Sequence, residues 1–302
     1  MTSNKMPVLF QAHGAPPLLD DAQWVTELAD WAKALPRPKA IVVVSAHWEA
    51  RPLSIGAAPD VAARLRGLMQ TAGIETIDEP ERGLDHGTYV PLMCMYPEAE
   101  LPVLQISLPS MDPKELFAMG KALAPLRDEG VLVIGSGFIT HNLRALSLRE
   151  TPAWASDFDQ WTTDVVSRHD HDALVDYRAK APGVRESLPT HEHFVPLIVA
   201  AAAAPDARVT WPITGFWWGR RDDAAVGAAG VGCARARADL GGGKDRLDDG
   251  SRRDPRGARG EEATVDRARA AVARSGRDAA ASRDSPADDR GHLRLGLAAE
   301  DR

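Results

Sequence analysis

At 302 residues with 44% hydrophobic content, the chain can bury a substantial core, either as one large domain or as two small ones. A formal net charge of -7 argues against the clustered positive surface that nucleic acid or an anionic membrane requires, and suits a small neutral or weakly charged partner. Two distant cysteines, Cys94 and Cys233, build neither a disulfide framework nor a thiolate zinc site, which points to a reducing compartment. No apolar run reaches the roughly 18 residues of a membrane span and no signal core follows Met1 to Lys5, so the expected location is the cytoplasm.

In chain order, Met6 to Ala12 reads as a buried strand, with His13 directly after it in Gln11-Ala12-His13-Gly14-Ala15-Pro16. Asp21 to Leu35 carries apolar residues at helical spacing and is stopped by Pro36. Ala40 to Ser45 is a second strand, and His47 lies just beyond it in Ser45-Ala46-His47-Trp48-Glu49. Asp85-His86-Gly87 predicts a tight turn before the apolar stretch Val90-Pro91-Leu92-Met93. Pro102 to Ser107 is a third strand. Asp112 then caps a helix with Pro113 in its first turn and Leu116, Met119, Leu123 and Leu126 along one stripe.

Val131 to Gly135 is a fourth strand, followed through Ser136-Gly137-Phe138 by Ile139-Thr140-His141-Asn142. Trp154, Phe158, Trp161 and Val165 mark another helix, and Pro189-Thr190 enters one that opens at His191 and runs to Ala204. Val209 to Trp218 completes the pattern as a strand, which Trp217-Trp218 packs against a helix. Strands alternating with helices predict an α/β fold. The expectation is a single domain, residues 1–219, with a mixed central sheet flanked by helices on both faces.

From Arg220 to Arg302 the chain turns into Ala, Arg, Gly and Asp without a single aromatic, so it cannot build a core. Two readings follow. One is an unstructured tail in which Glu261 to Arg274 forms a polar helix with no face to bury. The other is a frameshift product, because these four residues are what GC-rich DNA tends to encode out of frame.

The histidine phrases carry the chemistry. Histidine is the commonest metal ligand and a usual acid or base near neutral pH, and ligands in open α/β sheets bind beyond the carboxyl ends of strands. His13 and His47, each at such an end, form the best pair of metal ligands. A third comes from the Thr190-His191-Glu192-His193 phrase, where a helix would turn His191 and His193 roughly 200° apart, so that at most one faces the site. A site with three ligands leaves room for substrate and oxygen, and an unligated imidazole nearby can take and return a proton; His86 and His141 fit that role. His169 and His171, among Asp170 and Asp172, read as solvated surface, and His292 lies in the tail. Gly135-Ser136-Gly137 lacks the final glycine of a nucleophile elbow, since Phe138 stands there, so a serine hydrolase signal is weak.

These phrases, with Val90-Pro91-Leu92, Val133-Ile134-Gly135-Ser136-Gly137 and Pro196-Leu197, resemble the class III extradiol ring-cleavage dioxygenases of the LigB superfamily, in the branch similar to DOPA 4,5-dioxygenase. The resemblance spans about Pro7 to Trp218. It implies that His13, His47 and His193 hold a divalent metal, ferrous iron in the active form with zinc able to fill the same site. It further implies that His141 is the acid/base histidine, with an approach to the metal as its alternative, and that His86 faces a small aromatic diol substrate cleaved with dioxygen.

Two segments depart from that pattern. After the His47 phrase, Ser54-Ile55-Gly56-Ala57-Ala58 runs almost directly into Pro59-Asp60-Val61 where the family carries an aromatic-rich stretch, and the segment from Arg220 replaces a closing strand. The rivals are a zinc hydrolase using the same histidines and a non-catalytic binding member of the superfamily.

Overall fold

Strands apolar on both sides require a helical layer against each face, and the molecule is built that way. The structure is a computed structural model that describes residues 5–145, 151–216 and the backbone of 231–235. Its strands are β1 (Val8–Ala12), β2 (Ala40–Glu49), β3 (Leu53–Ile55), β4 (Thr76–Asp78), β5 (Val103–Leu108), β6 (Val131–Gly137), β7 (Arg208–Ile213) and β8 (Val231–Arg235). They form one sheet in the order β4-β3-β5-β2-β6-β1-β8-β7. The inner strands β5, β2, β6 and β1 are mutually parallel, whereas β3 meets β5, and β8 meets both β1 and β7, in antiparallel fashion. The sheet is therefore mixed, as the sequence predicts.

The helices are α1 (Ala22–Ala34), α2 (Pro59–Thr71), α3 (His86–Met95), α4 (Pro113–Leu123), α5 (Ala153–Ser167), α6 (His171–Val175), α7 (Tyr177–Lys180), α8 (Val184–Ser187) and α9 (Val195–Ala203). Alternate residues of the inner strands feed two separate cores. Val8, Val42, Leu104 and Val133 pack under α2, α4, α5 and α9; Leu9, Ile41, Val43, Leu132 and Ile134 pack under α1 and α3. Asp21 caps α1 by accepting from the backbone N–H of Gln23 and Trp24, and Asp112 caps α4 by accepting from that of Lys114. Among the described residues no helix is long and apolar enough to cross a membrane.

Three local differences from the sequence reading, and one agreement at the link after β3, matter. His86 opens α3, so Asp85-His86-Gly87 is a helix entry and not a free-standing turn. The helix expected from His191 starts at Val195, with Pro196 in its first turn, and leaves Glu192 and His193 in the turn before it. The short link after β3 passes directly into α2 through Ala58 at φ 146. Of the segment from Arg220, the described backbone is Val231–Arg235, which lies between β1 and β7 as a strand that composition did not signal and that supplies the pairing the sequence reading lacked. The remainder of that segment, Glu261 to Arg274 and His292 included, lies outside the described residues, as do Trp217-Trp218.

On the α3 face, the sheet changes from apolar to polar as it nears its carboxyl edge. Ser45 aligns with Ser136, Ser136 with Gln11, and Gln105 lies beside Val43, so a polar row crosses β5, β2, β6 and β1. All four side chains are buried, at 2% exposure or less. Three of them bond to the start of α3; the fourth, Gln11, meets no partner among the described residues at either end of its amide.

Two outcomes follow for stability. A chain ended after Gly219 loses β8 and is expected to melt below one ended after Leu240; equal melting temperatures would show that the strand adds nothing. Replacing Gln11 by Met keeps the volume and removes a buried, unpaired amide, so denaturant unfolding should register a gain of about 1 to 2 kcal/mol. A loss of stability would mean that the amide is satisfied within the fold.

Candidate metal and catalytic site

The ends of β1, β2 and β6, the start of α3 and the turn before α9 meet at one point on the carboxyl edge of the sheet. All five histidines singled out by the sequence gather there. The His47 ring centroid lies 3.9 Å from His86 and 4.8 Å from both His13 and His193. His13 is 5.3 Å from His193, and His141 stacks on His193 at 3.5 Å with the planes 13° apart. Phe138 walls the inner side, 4.7 Å from His13 and 5.6 Å from His141.

Hydrogen bonds decide which nitrogen of each ring is free. The Ser136 hydroxyl gives its one proton to the carbonyl of Gly87, so its contact with His13 Nδ1 at 3.0 Å makes that nitrogen the donor. His13 Nε2 is therefore a bare lone pair, directed at His47 Nε2 3.0 Å away. Two such nitrogens converging on one space call for a single proton or a single cation between them. His193 repeats the device: its Nδ1 lies 2.9 Å from Glu192 Oε1, and a carboxylate accepts, so Nε2 keeps its lone pair.

Electrostatics favour the neutral form of His13, His47, His86 and His141. Burial, reinforced by His193, His47 and the other imidazoles, holds the His13 pKa well below its usual value. Burial followed by His86 and His193 takes His47 to about 4, and burial followed by His193 takes His141 to about 3. His86 is lowered too, mainly by burial. For Glu192, burial pushes upward, but the hydrogen bonds from His193, its own backbone and Thr190 outweigh it and hold the carboxyl at about 2. Neutral imidazoles, beside a further one oriented by an ionised carboxylate, are the donor set that borderline divalent ions such as ferrous iron and zinc accept.

Within this cluster, two groups have ligand atoms within 4.8 Å of one another: His13, His47 and His86, and His141, Glu192 and His193. The expected trio of His13, His47 and His193 draws from both. The His191 ring lies instead against Tyr177, 5.6 Å away, and belongs to neither group. His169 and His171 stand apart beside α6 as a half-exposed pair 5.9 Å apart. Ser136 is fully buried with its proton committed, which removes the hydrolase reading of the Gly135-Ser136-Gly137 phrase.

Sequence reasoning missed Ser136 as a partner of His13, and with it Asp85, Gln105 and Ser45. The available signal was the polar residue inside an apolar strand, as in Val103-Leu104-Gln105-Ile106 and Val8-Leu9-Phe10-Gln11, where a buried amide must answer to something.

Comparison with known proteins agrees with this geometry. Residues 53–216, a stretch holding His86, His141 and His193, match the family described as the catalytic LigB subunit of aromatic ring-opening dioxygenase. The chain is 34% identical over 250 residues to a 4,5-DOPA dioxygenase extradiol of Beta vulgaris, spanning 72% of this chain and 93% of that one. It is 33% identical over 257 residues to the protein of the same name from Escherichia coli (strain K12), with the same coverage of 72% and 93%. The crystal structure of the uncharacterized protein JW3007 from Escherichia coli K12 superimposes with a TM-score of 0.67 at 31% identity, covering 76% of this chain and 100% of that one. Fold, histidine cluster and full-length relatives coincide: the chain belongs to the LigB family of aromatic ring-opening dioxygenases, on the branch of the extradiol DOPA dioxygenases, and is an extradiol ring-cleavage enzyme.

Proposed function

We propose that this enzyme opens the ring of a catechol of the DOPA type with dioxygen, at a bond beside and not between the two hydroxyls, with a ferrous ion held by His13, His47 and His193. The observation that supports this most is the pair of Nδ1 hydrogen bonds, from His13 to Ser136 and from His193 to Glu192, which leave both Nε2 lone pairs free in one space. Ferrous iron, when bound, supplies the redox capacity that lets dioxygen react with the diol, which zinc lacks. The domain that carries this chemistry is residues 1–219, with the backbone of Val231–Arg235 completing its sheet.

The chain's own residues do the rest. The diol must lose protons to become electron-rich, and His141, neutral and half-buried, accepts one at a ring nitrogen. Negative charge developing on the diol raises the basicity of that imidazole, against the burial that lowers it. Phe138 keeps water from the inner side of His13 and His141. His86, less buried than His13, faces the diol from the start of α3 and orients it by hydrogen bonding.

His13→Ala, His47→Ala and His193→Ala are each expected to abolish stoichiometric binding of iron or zinc, measured by elemental analysis after reconstitution, while His169→Ala keeps it. The compact His13, His47 and His86 group favours a second ligand set. Full metal in the His193 variant together with loss in a His86 variant would establish that set instead.

For the reaction, His141→Ala should keep iron and lower turnover by roughly 10²- to 10⁴-fold, the range for removing a positioned acid/base. A His86→Ala variant should raise KM more than it lowers kcat. The readouts are oxygen consumption and the coloured ring-fission product with catechol or DOPA. Loss of iron from the His141 variant would make that residue a ligand. No oxygen uptake by the iron-loaded, unmutated enzyme would favour the zinc hydrolase or the binding protein.

A further inference from the structure

Behind His47 and His86 lies a buried polar clasp that the chemistry above does not use. Asp85 stands at the N-cap position of α3, yet its side chain does not cap the helix. Its carboxylate turns to the sheet instead. Oδ1 accepts from the Ser45 hydroxyl at 2.8 Å, and Oδ2 accepts from Gln105 Nε2. Gln105 answers with its other end, where Oε1 accepts from the Asp85 backbone N–H at 3.1 Å and from the Thr88 hydroxyl at 3.0 Å. The Ser45 oxygen in turn accepts from the backbone N–H of His47 at 3.2 Å.

This wiring joins the backbone of His47, on β2, to the first turn of α3 that carries His86. Space enforces it as well: a Cβ on Gly87 would lie 2.7 Å from Ser45 Oγ and 3.1 Å from His47 Cδ2. Arg82 closes the outside, its guanidinium 4.4 Å over the Trp48 ring, with Nη2 3.9 Å from Asp85 Oδ2. A carboxylate with a side-chain exposure of 13% that answers three neighbours, Ser45, Gln105 and Arg82, and does not cap its helix has a positional task.

We propose that Asp85 and Gln105 are positioning residues that set the His86 imidazole at its 3.9 Å distance from His47, and thereby the fit of the catechol between the substrate-facing histidine and the metal-holding one. This inference rests on the reading of His86 as substrate-facing. It requires that donor and acceptor be complementary at the Asp85–Gln105 contact, and it is indifferent to which partner carries the charge. Asp85→Asn places two amide donors face to face, and Gln105→Glu places two carboxylates face to face. Combining them exchanges the two groups and regenerates every hydrogen bond of the clasp.

The test compares full-length Asp85→Asn, Gln105→Glu and the double variant. Catechol binding is followed by calorimetry on the zinc-loaded protein, and KM and kcat by oxygen uptake on the iron-loaded one. Each single change is expected to weaken catechol binding and raise KM about tenfold, with kcat within about threefold and metal content unchanged, and the double variant to return within about threefold of the unmutated protein. Ser45→Ala, a milder change that leaves the Asp85–Gln105 pair in place, should shift binding in the same direction by about threefold.

Unchanged binding in the single variants would overturn the proposal. So would a double variant weaker than either single, or metal loss in the single variants, which would assign the clasp to holding His47 alone. A His86→Ala control separates the premises. If that variant binds catechol normally, the reading of His86 fails. If it binds weakly while the clasp variants bind normally, the positioning role fails.

Discussion

One hydroxyl proton orders this site. Ser136 gives it to the Gly87 carbonyl and so obliges His13 to donate from Nδ1 and to keep Nε2 bare. The residues on either side of Ser136 act on the opposite face of the sheet. A Cβ at Gly135 would lie 2.3 Å from the carbonyl oxygen of Pro196, and one at Gly137 would lie 2.0 Å from that of His193. Gly135 is therefore required by the close approach of the first turn of α9, and Gly137 by that of the turn before it. The end of β6 thus faces two ways: its serine receives His13 and α3, and its glycines admit His193. A phrase that superficially resembles a nucleophile elbow is instead the joint between two helical layers.

The energetics explain why so much polarity sits inside. Below the carboxyl edge, the α3 face of the sheet is Leu9, Ile41, Val43, Leu132 and Ile134, which packs by apolar contact alone. At the edge it becomes Gln11, Ser45, Ser136 and Gln105, and a buried polar group stabilises only when it is paired. Three of the four are paired with the first turn of α3, and the partners are specific: a carboxylate, a hydroxyl and a backbone carbonyl. Apolar packing could hold α3 against the sheet anywhere along its length. The polar row permits one register, and that register is the one that brings His86 beside His47.

Much of this was legible in the sequence, and the boundary of legibility is physical. The inner strands were readable because burial on both faces leaves unbroken runs of Val, Ile and Leu, and α1 and α4 because Asp21 and Asp112 cap them before apolar stripes. All five histidines were readable by their placement at element ends. What was not readable depends on distance in space. Nothing local distinguishes a turn at Asp85-His86-Gly87 from a helix entry, because the deciding partners, Ser45 and Gln105, lie 40 and 20 residues away. The start of α9 was misplaced because Glu192 and His193 look helical until Phe138 donates its backbone N–H to the His193 carbonyl at 2.8 Å and holds the turn open. β8 was invisible because its pairing is made by backbone, to which composition is blind.

The arrangement of donors across layers has a thermodynamic consequence. His13 and His47 belong to strand ends wired to the α3 side, and His193 to the turn that enters α9 on the other side. A cation held by all three would be bound to both helical layers at once, through the carboxyl edge of the sheet. Binding energy at such a point is also folding energy, since the unfolded chain presents no preformed site. The neutrality imposed by burial acts in the same direction, because rings already without a second proton need not lose one when an ion arrives. The ion that would perform the chemistry would thus also join the two helical layers at the sheet edge.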